Sequence, residues 1–258
     1  MKLSSLSLSW VSAALLTVGA SQASAGVLGV FDGTWTQAGA DDPAIGAGGY
    51  VGPGYGGQAF DAEYLFYKQS GSILTIGLQS GFDLVDGHVY YDGRHYYAGD
   101  LALSFDGDAG IYEYAIDFGL LTKDYYGDKV DAGSGTGVDA AGLYSVSQWN
   151  NDMVPGHVGQ ATPFAMDGGA FVRSLLSNQT GSGTAGSATS YYRIVSFDLA
   201  GLGLGPDMNV HWTMSCGNDV INGKGTVSVP EPGSLALLGA GLLGLVLVRR
   251  RRLAPART

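Results

Sequence analysis

The stretch "FDAEYLFYKQSGSILTIGLQ", Phe60–Gln79, decides the fold class. In its second half Leu74, Ile76 and Leu78 fall on one face, and Ile73, Thr75, Gly77 and Gln79 on the other. A period of two, carried by β-branched and aromatic residues, suits a pleated strand with one face on a core. Phe60–Lys68 has the same character. The Gln69-Ser70-Gly71 step between the halves ends in a glycine that tolerates the positive φ of a tight turn. The stretch therefore predicts a β-hairpin.

Working outward, the same pattern recurs. Asp100–Phe105 alternates Leu101, Leu103 and Phe105, and Tyr112–Phe118 alternates Tyr112, Tyr114, Ile116 and Phe118. Tyr192–Leu199, Asn209–Ser215 and Gly225–Val229 complete the strand set. Asp92-Gly93 and Asp106-Gly107-Asp108 are tight-turn sequences. The chain holds 43 glycines in 258 residues, without a G-x-y period, and they punctuate the apolar stretches. Short strands without long helical periodicity predict an all-β fold, an antiparallel β-sandwich of jelly-roll-like form with long Gly-rich loops. Thr34–Gln58 and Val130–Gly142 read as two of those loops, and Gly181–Ser190 as a flexible one. Gly168–Asn178, with apolar residues at helical spacing, reads as a crossing helix.

Both ends read as processing segments. Lys2, the apolar run Leu6–Ala20 and small residues at Ala23 and Ala25 predict a signal peptide over residues 1–25, cut to leave Gly26 first. That expectation brings signal peptidase and the Sec translocon as partners. The body, residues 26–229, carries 7 basic and 22 acidic residues, a net charge of −15. Such a surface repels nucleic acid and anionic membranes and attracts divalent cations. Cys216 is the only cysteine, so no internal disulfide forms and stability must come from a core.

No catalytic motif emerges, and the expectation is a protein that is not an enzyme. His88, His95, His157 and His211 form no metal-ligand spacing. His211 and Cys216, five apart, are a nucleophile–base pair in principle, though a lone cysteine is more often a small buried residue. Gly52–Gly57 lacks the Lys-Ser/Thr of a phosphate loop. Asp106 and Asp108, with Gly110 behind them, are candidate Ca²⁺ ligands, set against the plainer reading of a solvated turn. Tyr90, Tyr91, Tyr96 and Tyr97, clustered about Asp92-Gly93, are candidate sugar-stacking residues, although tyrosine is also a common strand residue. Facing carboxylates for glycoside cleavage cannot be singled out among so many acids.

The C-terminal stretch "VPEPGSLALLGAGLLGLVLVRRRR", from Val229, joins three parts. Pro230-Glu231-Pro232 precedes an uncharged run, Gly233–Val248, that reads as a single transmembrane helix. Sixteen helical residues rise about 24 Å, short of the usual span. Arg249, Arg250, Arg251 and Arg252 then stop transfer and hold that end in the cytoplasm. These parts, in this order, resemble the PEP-CTERM sorting signal, residues 230–258. The body segments "GGYVGPGYGGQAFDAEYLFY", "GDLALSFDGDAGIYEYAIDFG" and "WTMSCGNDVI" are also similar to those of exosortase-dependent surface proteins of Gram-negative bacteria.

The resemblance implies recognition by exosortase at Pro-Glu-Pro, removal of the tail after transient tethering in the inner membrane, and a cell-surface or extracellular-matrix location. It also implies an association with exopolysaccharide and biofilm. The leading expectation is a structural or adhesive matrix component. A carbohydrate-binding module, with or without Ca²⁺, is the alternative, and a secreted hydrolase the third reading.

Overall fold

The computed structural model describes residues 26–40, 57–108, 110–120, 139–151, 161–228, 241–243 and 245. Ala23 and Ala25 of the expected signal peptide, the Pro230–Pro232 motif and Arg249–Arg252 lie outside these. Of the expected span 233–248, residues 241–243 and 245 are helical. Among the described residues no helix is long and apolar enough to cross a membrane.

Thirteen strands follow in chain order: β1 (Thr36–Ala40), β2 (Ala62–Ser70), β3 (Ile73–Ser80), β4 (His88–Tyr91), β5 (Arg94–Tyr97), β6 (Leu101–Ser104), β7 (Tyr114–Asp117), β8 (Gly142–Asn150), β9 (Ala165–Ser174), β10 (Ser177–Ala185), β11 (Ala188–Asp198), β12 (Asp207–Thr213) and β13 (Val220–Thr226). They build a five-stranded sheet, β1-β2-β3-β11-β10, and a six-stranded sheet, β13-β12-β6-β7-β8-β9, with β4-β5 as a separate ribbon. The strand ladders are antiparallel.

The opening stretch forms the hairpin β2–β3, turning at Gly71 with φ of 59°. Leu74, Ile76 and Leu78 enter the main core, as their alternation requires. From the other sheet come Leu101, Leu103, Ile116, Val210 and Trp212. The Trp212 indole N–H, fully buried, donates to the Gly99 carbonyl, so its one polar atom is satisfied. The sandwich is therefore real, but its connectivity differs from a jelly roll. Most neighbouring strands are consecutive hairpins, whereas a jelly roll is wound from two Greek keys.

Four local readings are corrected. Gly168–Asn178 is not a helix: it is the end of β9, a two-residue link and the start of β10. Two glycines are poor helix formers, and at Gly169 a Cβ would fall 2.7 Å from the Ser145 carbonyl on β8, a close approach that strand pairing demands. Gly181–Ser190 is not a loose loop but the hairpin β10–β11, paired residue for residue from Ser177↔Ser196 to Ala185↔Ala188. The Tyr192 ring lies over Gly181, where a side chain would collide with it. The strong strand β11 thus recruits a weak partner. Thr34–Gln58 is not wholly a loop, since Thr36–Ala40 is β1, and the last strand covers Val220–Thr226 rather than Gly225–Val229.

The five-stranded sheet is covered on its outer side too. Residues 26–35 run across it as a strap. Phe31 stacks on Phe66 at 4.4 Å and meets Trp35 and Tyr192 edge-on. Leu28, Phe31, Phe66, Ala185 and Ile194 form this second core.

Candidate functional site

The four expected tyrosines do share the ribbon β4–β5, which turns through Asp92-Gly93 with φ of 48° and 79°. Two consecutive positive φ values are the signature of the type I′ hairpin loop. Pleating then separates the rings. Tyr91 and Tyr96 turn inward and meet Phe60 edge-on at 5.4 and 5.2 Å. Tyr90 lies on the opposite side with His95. Tyr90 and Tyr91 are 64% and 53% exposed, whereas Tyr97 is 3% exposed and packs with Ala161, Phe164 and Ala165. The four rings do not make one platform.

Asp106 and Asp108 are both exposed and use oxygens on their own turn. Asp106 Oδ1 accepts from Ser104 Oγ and the Asp108 N–H, and Asp108 Oδ1 accepts from the Gly110 N–H. The Asp108 and Ser104 bonds hold the Asp106 carboxyl below the usual range. Among the described residues no group of three His, Cys, Asp or Glu side chains is placed to hold a metal ion.

His211 and Cys216 are not brought together as a reactive pair. Burial pushes the Cys216 thiol up to about 12, so the thiolate is scarce at neutral pH. His211 is buried on β12, its Nε2 3.0 Å from the Pro163 carbonyl and its Nδ1 2.8 Å from the Asn222 amide. Burial lowers its pKa and keeps the ring neutral. Both partners, the Pro163 carbonyl and the Asn222 Oδ1, are acceptor oxygens, and a neutral ring carries one N–H, so it donates to one of the two at a time.

Around His211 lies a groove of about 580 Å³ on the outer face of the six-stranded sheet. Its floor follows from strand alternation. Met208, Val210 and Trp212 face the core, which turns Asn209 and His211 outward beside Asn222 and Lys224 of β13. Its walls are Tyr112 ahead of β7, Trp149 of β8 and Pro163 ahead of β9. The Trp149 indole N–H donates to the Tyr112 carbonyl at 2.9 Å, which ties one wall to the next. Lys224 is the only charged residue in the described lining. No local motif announces this site, because its residues come from separate elements and meet only in the folded sheet.

The densest set of acids is structural in its bonding. Glu63 accepts from Gln58 Nε2, Gln79 Nε2 and Ser190 Oγ at 2.6 to 2.7 Å. Burial nonetheless raises its pKa, those bonds opposing it. Gln79 in turn holds the strap, accepting from the Leu28 N–H and donating to the Gly26 carbonyl. Asp219, buried, accepts from the Ala62 and Val220 N–H groups. Burial raises the Asp61 carboxyl, and a hydrogen bond with Asp219 opposes that rise.

The fold closes where β13 runs out. The Gln69 side chain grips Ser228 by its backbone, accepting from the N–H at 2.7 Å and donating to the carbonyl. The molecule is thus an acidic β-sandwich with a separate segment directly behind it. That segment is a sorting signal: residues 228–252 match the PEP-CTERM protein-sorting motif. The motif supports exosortase-dependent sorting to the cell surface. No curated protein matches the chain. No solved structure matches it either.

Proposed function

We propose that this chain is an exported surface protein whose delivered part is the β-sandwich, acting as a structural or adhesive component of extracellular material rather than as a catalyst. On this reading the signal peptide opens the export route. The C-terminal segment tethers the chain in the inner membrane until exosortase removes it, and the sandwich then takes its place beside exopolysaccharide in a biofilm matrix. The observation that carries the reading is the position of the PEP-CTERM motif. It begins at Ser228, the residue that Gln69 fastens to the fold, so removal of the tail leaves the sandwich whole. The strongly acidic body fits a soluble exterior part.

Mass spectrometry of the protein recovered from the cell surface tests this. The expected mature chain starts at Gly26 and ends shortly after Ser228. Surface protein that still carries Arg249–Arg252 overturns the processing step. Deletion of Pro230–Thr258 is expected to release the protein into the medium. A deletion variant that still accumulates at the surface overturns the sorting role of the tail.

A further inference from the structure

We propose that the groove over His211 is a binding site for a neutral saccharide, with one sugar ring held between Trp149, Tyr112 and the Asn222–Lys224 edge of β13. The inference concerns ligand binding and stands apart from how the chain is sorted.

Size comes first. About 580 Å³ lies within the range of small-molecule sites and suits one or two sugar rings in an open trough. The chemistry of the wall follows. A pyranose ring has apolar C–H faces and a fringe of hydroxyls. Aromatic walls suit the faces, and amide and ammonium groups at the rim suit the hydroxyls. Here Tyr112 and Trp149 supply the walls, and the side chains of Asn222 and Lys224, both exposed at the rim, supply the polar groups.

The parts are also held in place before any ligand arrives. Trp149 is bonded to the Tyr112 backbone, and His211 is fixed between Pro163 and Asn222. Little side-chain freedom is left to lose on binding.

Charge narrows the ligand. The body carries −15, which repels polyanions at a distance. A single lysine does not reverse that field, so a neutral glycan is favoured over a uronate chain or a nucleic acid.

Calorimetry of the purified protein with cellohexaose, xylohexaose and maltohexaose is the direct test, with an alginate hexamer as the acidic control. At least one neutral oligomer is expected to bind with a Kd in the micromolar-to-millimolar range. The acidic oligomer is expected to bind more weakly, most visibly at low salt. No binding by any neutral oligomer overturns the site, and tighter binding of the alginate oligomer overturns the neutral assignment.

Trp149→Ala is expected to weaken binding at least about tenfold, equivalent to one aromatic stacking contact. Tyr90→Ala, on the ribbon, is expected to leave binding unchanged, and the reverse pattern moves the site to the ribbon. Lys224→Ala, at an exposed strand position, keeps the fold and is expected to weaken binding about fivefold, as loss of one hydrogen bond does. Hydrogen exchange on the unaltered protein needs no variant. Saccharide is expected to protect residues 110–112 and 222–224 and not 88–97, and protection confined to 88–97 overturns the groove.

Discussion

The two sheets present opposite outer faces. That of the five-stranded sheet is sealed by the chain itself: the strap at residues 26–35 lays Leu28 and Phe31 over Phe66 and Ile194 and closes a second apolar core. That of the six-stranded sheet carries, among the described residues, a groove with Asn222 and Lys224 exposed at its rim and Asn209 and His211 buried beneath. An apolar face must find cover, and here the cover is intramolecular. A face of amides, a lysine and fixed aromatic edges is free to meet something else. The same architecture thus seals one surface for stability, and the other holds the groove proposed above for recognition.

If that division holds, damage to the sealed face is felt as lost stability. Phe31→Ala removes the ring stacked on Phe66 and above Gly77, where a Cβ would strike it. The expected loss is about 3 kcal/mol by denaturant titration. A loss under about 0.5 kcal/mol, the level of an ordinary surface change, would show the strap to be decoration. Arg193 is a second test, set between the sheets. It donates to the Leu84 and Phe118 carbonyls and to Asn178, and lies over the Phe118 ring at 4.9 Å. Burial draws its pKa down to about 10, so it remains a cation at neutral pH. Arg193→Met strands those acceptors and is expected to cost about 2 kcal/mol. A melting temperature equal to that of the unaltered protein would refute this.

The buried floor of the groove has a smaller effect, readable in pH. His211 has its folded pKa below 6.5. The unfolded chain therefore takes up a proton below that value that the folded chain refuses, and stability falls as pH drops from about 6.5 at up to about 1.4 kcal/mol per pH unit. Asp61 and Glu63 act the other way. Their raised pKa values mean the folded state binds protons first, so lowering the pH towards their ordinary values stabilises it. The informative quantity is thus the difference between the unaltered protein and His211→Gln, which is expected to widen above pH 6 and shrink below it. A difference independent of pH between 5 and 7 would contradict a neutral buried ring. Smallest of all, Tyr90→Ala is expected to change stability by less than about 0.5 kcal/mol, because its ring stands in solvent.

Sequence made the core strands legible where alternation is strict. Leu74, Ile76 and Leu78, or Leu101, Leu103 and Phe105, need only a period of two to be placed. The strands that escaped notice lack it for identifiable reasons. β8 and β9 pair through three register shifts, which break the alternation of β8 around Tyr144 and Val146. β10 has almost no apolar residue and is a strand because β11 lies beside it. The aromatic ribbon was visible as a cluster, but adjacent positions on a strand point to opposite sides, so Tyr90 and Tyr91 could not act together. The groove was not visible at all. In sequence Tyr112 continues the alternation of Tyr114, Ile116 and Phe118, yet it precedes β7 and lines the groove.

The grip of Gln69 on Ser228 has a mechanical side. Gln69 belongs to β2 in one sheet, while β13, which leads to Ser228, belongs to the other. Force applied to the chain beyond Ser228 is therefore shared by both sheets at once, rather than peeling β13 from β12 one hydrogen bond at a time. A surface domain held by its C-terminal end would keep its shape under drag up to the point where this staple opens.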